Sequence, residues 1–342
     1  MAGKIELVLP GLFDLPLVEI EPGISAQLGG LNRILRLATA VPNSAFSIDA
    51  ILRRMLTLES PSGEPTHGLP LAQAFASSST RQPDRLLLFR AVHLQPDLHS
   101  AIVVPIQHND RNISDISIII NDLKNLFKVD CDIVAIGDGL YLMALREFDA
   151  PSHYPHLLSV LGKAANPYIE QSRENLRWYK LLNEMQMFMH QHDVNQQRQQ
   201  QGLLPLNSLW FWGGGERPRQ VDDRFAWFCD DPVLSRFARS LECAIAPTRD
   251  IAGLEPSADA LVVDLRLLEL LKTGDASDIG PLLLELEKNL LQPLLGMLER
   301  DRKQLYLRAG YDFDFKLGPR AALKFWRRSS SLEDWLGRNQ EF

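Results

Sequence analysis

The sequence predicts an α/β protein: a mostly parallel sheet core with helices on both faces and an inserted α+β subdomain. Three observations carry that expectation. Strand-like and helix-like segments alternate through both ends of the chain, as crossover connections between parallel strands require. Between them, roughly over 82–150, two strand pairs surround one helical stretch and read as a self-contained sheet module. At 205–215 an aromatic run, Pro-Leu-Asn-Ser-Leu-Trp-Phe-Trp, is driven straight into Gly213, Gly214 and Gly215. The rings of Trp210, Phe211 and Trp212 suit a buried strand. Glycines at its end permit positive φ or a close ligand approach to the main chain. Such a stretch is either a tight turn after a core strand or, in an open α/β sheet, a ligand address.

In chain order, residues 4–9 are a compact apolar run stopped by Pro10-Gly11, a first strand ended by a turn pair. Leu31, Ile34, Leu35 and Leu37 mark a helix over 31–38, and Ile48, Ile51, Leu52 and Met55 another over 46–58. The Ser-, Pro- and Gly-rich residues 59–68 are a loop. Strands are expected at 86–89 and 101–105, and a helix over 113–127 with Ser114 and Asp115 near its start. A hairpin, 132–136 with 140–145, turns around Gly137-Asp138-Gly139. Residues 155–189 are mostly helical, and the stripe of Leu176, Leu182, Met185 and Met189 suits a core better than a cofactor box. The polar residues 196–201 are a surface connection or a ligand-facing loop. Buried strands follow at 260–265 and 304–308. Leucines at helical spacing over 279–298 mark the clearest helix, with Pro281 in its first turn and Pro293 placed to kink it. The tail carries a local basic spot, Trp326-Arg327-Arg328.

The 342 residues suffice for one large or two ordinary domains, and the composition, 45% hydrophobic and 23% charged, is that of a globular protein. A net charge of -7 disfavours nucleic acid as a partner, and no helix-turn-helix signature is present. Cys131, Cys229 and Cys243 are too few and scattered for a disulfide framework or zinc site, which fits a reduced, cytoplasmic setting. Neither a signal peptide nor an apolar run of about 18 residues is seen, so no membrane association is expected.

Among candidate metal ligands, His190-Gln191-His192-Asp193 is the densest cluster, but histidines two apart share a face only off a helix. His153 and His156 lie near prolines, and His67, His93, His99 and His108 have no acidic partner at motif spacing. There is no Gly-x-Ser-x-Gly elbow, P-loop or dinucleotide fingerprint, and Ser44 and Ser47 suit N-caps. Asp264, Glu269, Asp275 and Asp278 follow a buried strand, an address for ligands and equally for helix caps. The most promising constellation is His192, Asp193, Asn195 and Arg198 just ahead of the aromatic–glycine stretch. Asparagine offers donor and acceptor, arginine a planar fork for phosphate or carboxylate, and glycines exposed N–H groups. With Asn207, Trp210, Trp212, Gly213, Gly214 and Gly215 they form a candidate anion site; the other reading is a solvated, Gln-rich loop.

The run His-Asp-Val-Asn-x-x-Arg at 192–198 followed by Pro-Leu-Asn-Ser-Leu-Trp-Phe-Trp-Gly-Gly-Gly resembles a segment of the archaeal-type cofactor-independent phosphoglycerate mutases of the alkaline phosphatase superfamily. With Leu9–Leu12, the Val-His-Leu-x-x-Asp of 92–97 and the late Trp-Arg-Arg, the chain is more similar still to a bacterial group of RpfE-type regulatory proteins. The resemblance implies an alkaline-phosphatase-like core of residues 1–80 and 187–342 around an inserted subdomain at 81–186 with a helical return.

Departures from the mutase pattern bear on function. The enzymes hold two metal ions at strand ends with Asp and His. Where they carry Asp-Gly after the first strand this chain has Pro10-Gly11. Where they carry a His- and Asp-containing pattern it reads Asp264-Leu-Arg-Leu-Leu-Glu269, and Gly310-Tyr311 replaces a late Asp-His. A two-metal clamp needs its whole ligand set. The expectation is therefore a regulatory relative without catalytic residues, metal or cofactor, taking a small anionic metabolite or a protein partner. The alternative is an active mutase or related phosphotransferase using Mn or Mg.

Overall fold

The computed structural model describes residues 3–16, 23–42, 48, 69–76, 85–107, 109–151, 154–169, 175–215, 225–310, 313–319 and 331–339. It divides into two units, Met1–Ser47 with Val221–Phe342, and Ile48–Gln220. Strands β1 (Lys4–Val8) and β2 (Thr39–Pro42) open the first unit. β3 (Leu86–Pro96), β4 (Ala101–Val104), β5 (Cys131–Gly137), β6 (Leu140–Leu145) and β7 (Ser208–Trp212) belong to the second. β8 (Phe225–Cys229), β9 (Ile245–Ala246), β10 (Asp259–Val263), β11 (Gln304–Arg308) and β12 (Phe313–Leu317) return to the first. Its helices are α1 (Ile24–Gln27) and α2 (Gly29–Leu37), those of the second unit α3 (Asp110–Leu126), α4 (Leu157–Val160), α5 (Leu176–Gln191) and α6 (Asp193–Gln200). α7 (Pro232–Ser240), α8 (Arg266–Thr273), α9 (Ile279–Leu286), α10 (Gln292–Asp301) and α11 (Leu332–Asn339) complete the first.

The first unit is a seven-stranded sheet in the order β2-β12-β11-β1-β10-β8-β9. β11, β1, β10, β8 and β9 pair in parallel, and β12 and β2 add an antiparallel edge. This is the mostly parallel sheet that alternating strands and helices imply. On one face Ile5, Leu7, Ala260, Val262, Leu305 and Leu307 are buried in a single cluster with Leu31, Ile34 and Leu35 of α2 and Leu283, Leu286, Leu294 and Leu298 of α9 and α10. Full burial of each such side chain contributes about 1.5–3 kcal/mol. The opposite face buries Val8, Trp227, Leu261 and Val263 and carries a charged group beside them: Glu6, buried to 4% exposure, is paired with Lys4 and with Arg308, which also binds Asp314.

The leucine helix expected at 279–298 is interrupted. α9 and α10 are joined by a π-helical turn, Glu287–Leu291, and Pro293 falls in the first turn of α10. Proline supplies no N–H to the preceding turn, and the widened turn absorbs that loss without ending the helix. It also carries a buried glutamate: Glu287 accepts from the N–H groups of Gly30 at 2.6 Å and Leu31 at 3.0 Å, and from Gln292 Nε2 at 3.0 Å. A carboxylate from this turn thus satisfies the first donors of α2, which has no side-chain cap of its own.

The second unit is antiparallel. β3, eleven residues long, pairs with β6 along 86–89, with β7 along 88–92 and with β4 along 93–96, and β5 flanks β6. Phe89 stacks on Tyr141 at 5.4 Å and meets Phe211 at 5.3 Å, and Trp178 of α5 sets its edge on Phe211 at 4.7 Å. This antiparallel sheet lies with α3 and α5 in the unit Ile48–Gln220. The aromatic run of 208–212, assigned from sequence to the parallel core, hydrogen-bonds antiparallel to β3 and belongs here with α5 and α6. Most of the stretch 196–201, read as a surface connection or ligand-facing loop, lies in the helix Asp193–Gln200, while the described residues 155–169 are mostly irregular around α4 and a short turn at Asn166–Tyr168. Most of the helix expected at 46–58, the loop at 59–68, Ser44, Ser47, His67, His108, His153, Tyr311 and the basic spot at 326–328 lie outside the described residues.

Candidate functional site

The predicted anion constellation is brought together, but its polar atoms are engaged within the unit. Asn195 is fully buried; its amide donates to the carbonyls of Met189 at 2.6 Å and Leu206 at 2.8 Å, and its Oδ1 accepts the Leu206 N–H at 2.7 Å. Arg198, 2% exposed, donates to Asp115 at 2.6 Å, to Asn112 Oδ1 at 2.8 Å and to the Leu204 carbonyl at 2.9 Å. Asn207 mimics a strand residue, bonding both the N–H of Leu94 at 2.7 Å and its carbonyl at 3.0 Å. His192 caps α6: Nδ1 accepts the Val194 N–H at 3.2 Å while Nε2 lies 3.1 Å from Asp122, a pattern met by the Nε2-protonated ring. These bonds fix the turn from α5 through α6 into β7. At the expected anion site the Arg198 fork is filled by the Asp115 carboxylate and the Asn195 amide by main-chain groups.

The glycines act as a turn. Gly213 has φ +76 and its carbonyl accepts the Ala72 N–H at 2.9 Å; a Cβ there would lie 3.2 Å from Leu71 Cβ. At Gly214 a Cβ would sit 2.8 Å from Leu87 Cδ2, and the Gly215 carbonyl accepts from Gln73. The close approach that glycine permits is made by the protein's own residues 71–73 and 87.

In the first unit the carboxyl ends of the parallel strands are the natural ligand address. After β1, Pro10 is buried and Gly11 turns with φ +89; a Cβ at Gly11 would come within 3.0 Å of Leu271 and 3.1 Å of Leu268 Cα, so α8 packs directly on this corner. After β10, Asp264 donates its N–H to the Val8 carbonyl at 3.0 Å and buries its carboxylate. That carboxylate is gripped by Arg266 through Nη2 at 2.7 Å, Nε at 3.1 Å and the main-chain N–H at 3.1 Å. Arg266 Nη1 continues to Glu285 at 2.7 Å. The hydrogen bond to Asp264 above all pushes the guanidinium pKa up, so the cation is permanent. After β8, Asp230 accepts from the Thr248 hydroxyl and Asp231 caps α7 at the Leu234 N–H, 2.7 Å. Asp275 caps a short turn at Ser277, 2.9 Å, the helix-cap alternative of the sequence reading. Burial above all pushes the Cys229 thiol at the end of β8 up, away from nucleophilic thiolate. Among the described residues no three His, Cys, Asp or Glu side chains converge as a metal site.

A third locus escaped sequence reasoning. On the face of β3 and β7 opposite Phe211 lie Arg90, Trp210 and Trp212, Arg90 being the cross-strand partner of Trp210. Trp210 Nε1 donates to the Pro155 carbonyl at 3.1 Å, with Tyr154 and Tyr168 edge-on to its ring at 6.0 Å each. The His156 ring stands 5.5 Å from that of Trp212. Burial first, then the charge of Arg90, press its pKa down to about 4. Only the strand pairing gathers these residues, and nothing in local spacing announces it.

No protein-family model matches the chain. Over 67 residues it is 31% identical to a protein of Geobacter sulfurreducens named a probable 2,3-bisphosphoglycerate-independent phosphoglycerate mutase, a match covering 20% of this chain and 16% of that protein. In chain path it is similar to the PH0037 protein of Pyrococcus horikoshii, at TM-score 0.47 and 11% identity over 93% of this chain and 88% of that one. It is also similar to the cofactor-independent phosphoglycerate mutase of Thermoplasma acidophilum, at TM-score 0.40 and 16% identity over 93% and 89%. The curated relative is thus matched over 16% of its length.

Proposed function

We propose that this chain is a non-catalytic regulatory protein of the RpfE type, built on a phosphoglycerate-mutase-like frame and acting by binding. The observation that carries the reading is the ion-pair chain Asp264–Arg266–Glu285 at the end of β10. A carboxylate that serves a catalytic metal must present free lone pairs to it. The Asp264 carboxylate instead faces a guanidinium of fixed charge, and the neighbouring corner at Pro10-Gly11 is closed by α8. The relative of Geobacter sulfurreducens, by its name, supports the frame; it is the substitutions that favour regulation over turnover.

Two measurements on the purified full chain test this. Metal content, with and without added Mn²⁺, is expected to stay far below one equivalent. An assay on 3-phosphoglycerate with Mn²⁺ is expected to show no turnover above a blank. Two bound equivalents, or turnover that disappears in Glu269→Gln, would establish the active mutase instead.

A further inference from the structure

The antiparallel sheet of the second unit covers two of its margins and leaves one open. Beside β4, residues 162–165 run along the strand: Val103 donates to the Lys163 carbonyl at 3.0 Å, and its own carbonyl accepts the Gly162 N–H at 2.8 Å. Every residue of β7 is buried. Among the described residues β5 is hydrogen-bonded to β6 alone, and Asp132, Val134, Ala135 and Gly137 along it are exposed, Val134 to 51%. An open strand edge is a row of unmet donors and acceptors that another strand can take up.

The ladder fixes which main-chain groups face outward. The Asp130 carbonyl accepts the Arg146 N–H at 3.0 Å, so Asp130, Asp132 and Val134 turn their peptide groups toward β6. Cys131, Ile133 and Ala135 therefore turn theirs away. The Cys131 N–H is bonded to the Phe127 carbonyl at 3.0 Å, while among the described residues nothing engages the outward N–H and carbonyl of Ile133 or Ala135. The register shift between Ala135 and Gly137 ends the regular ladder there.

A second copy of β5, antiparallel about a twofold axis, meets these groups in one register. With Ile133 opposite the partner's Ile133, the two exchange N–H and carbonyl, and each Ala135 N–H reaches the other chain's Cys131 carbonyl. The Cys131 N–H, already committed, is not called upon. That register also sets the exposed Lys128 toward the partner's Asp138, and the exposed Val129 toward the partner's Gly137, where nothing lies within 4 Å of an added Cβ. Each Val134 falls diagonal to its counterpart on one sheet face. Centring the axis on Val134 instead opposes Asp130 to the partner's Asp138, and centring it on Asp132 requires the occupied Cys131 N–H.

We propose that β5 is a self-association edge, through which two copies of this chain pair antiparallel along residues 131–135 with Lys128 and Asp138 matched in charge at both ends. This goes beyond the regulatory reading and holds whether or not the chain turns over a substrate.

The test is sedimentation velocity of the full chain at low salt, from about 1 to about 100 µM. A monomer of 38.6 kDa is expected to pass into a dimer across that range. Ala135→Pro removes an outward N–H and no bond to β6, so it should raise the dissociation constant about tenfold with the circular dichroism unchanged. Val134→Glu, which sets a carboxylate beside the partner's Asp132, should do the same and decides the matter where the proline disturbs the fold. Lys128→Glu should weaken the dimer about threefold. Mixing Lys128→Glu chains with Asp138→Lys chains returns opposite charges to both ends, so the mixture should associate more tightly than either variant by itself. A single monomeric species at every concentration would overturn the proposal. So would a dimer indifferent to both edge variants, or a mixture no tighter than its components.

Discussion

Arg198 in the second unit and Arg266 in the first each hold an aspartate at 2.6–2.7 Å, yet they do different work. Arg198 is buried to 3% side-chain exposure and reaches two side chains and a main-chain carbonyl. It ties a helical turn to α3. Arg266 keeps 36% of its side chain in solvent while the aspartate it covers keeps 1%. It is a lid over a buried carboxylate. In the first case the cation needs its surroundings; in the second the anion does. The difference teaches where function can reside, because a buried, fully bonded arginine cannot receive a ligand without the fold giving way.

The comparison breaks most visibly at Arg198. Arg198→Ala leaves Asp115, Asn112 and the Leu204 carbonyl without their donor, and removal of one partner from a buried pair costs about 3–5 kcal/mol. Denaturant unfolding of the second unit, followed by tryptophan emission, should report that loss. A variant of parental stability would return Arg198 to the list of ligand-binding residues.

Arg266→Gln should cost less, about 2–3 kcal/mol, since water can replace an arginine that is partly exposed. Denaturant unfolding of the full chain should report the loss, and a variant of parental stability would show that the buried carboxylate does not need Arg266.

His156 sharpens the second unit's side of the contrast. The unfolded chain takes up this proton near 6.5 and the folded chain only near 4. Between those values the unfolded state binds more protons, so stability is complete above about pH 6.5 and is lost as pH falls toward 4. The loss should reach about 2 kcal/mol, allowing for the solvent that reaches the ring. His156→Gln should flatten that limb of the pH profile, and an unchanged profile would mean the ring is not held neutral.

Sequence reasoning reached the parallel sheet because β1 and β10 are short, largely buried runs separated by helical patterns, and a run buried on both faces has few other uses; β11 is fully buried only at alternate residues. β8 escaped although the apolar run Phe225–Cys229 is bounded by Asp222-Asp223 before it and Asp230-Asp231-Pro232 after it, the punctuation that marks a strand's ends. The internal bonds of Asn195 and Arg198 were not legible for a general reason. Asparagine and arginine beside glycines have the same composition whether they await a ligand or hold a turn. The partners that decide the matter, Asp115 and Asn112, lie 83 and 86 residues away.

The smallest expected effect bears on the glycines. Gly213→Ala places a Cβ on a residue at φ +76, 3.2 Å from Leu71 Cβ and 3.3 Å from the Ala72 nitrogen. The left-handed conformation costs an L-residue about 1–2 kcal/mol, and the close backbone contact leaves little room to relax. Gly214→Ala also meets a close contact, but with the terminal Cδ2 of Leu87, at 2.8 Å, and its φ is not positive. A methyl at the end of a side chain can turn aside at a cost below about 1 kcal/mol. If these glycines are a turn held by the protein's own main chain, thermal midpoints should rank Gly213→Ala below Gly214→Ala, and neither should change phosphate affinity more than twofold. If they face a ligand, both alanines should weaken phosphate binding more than they weaken the fold.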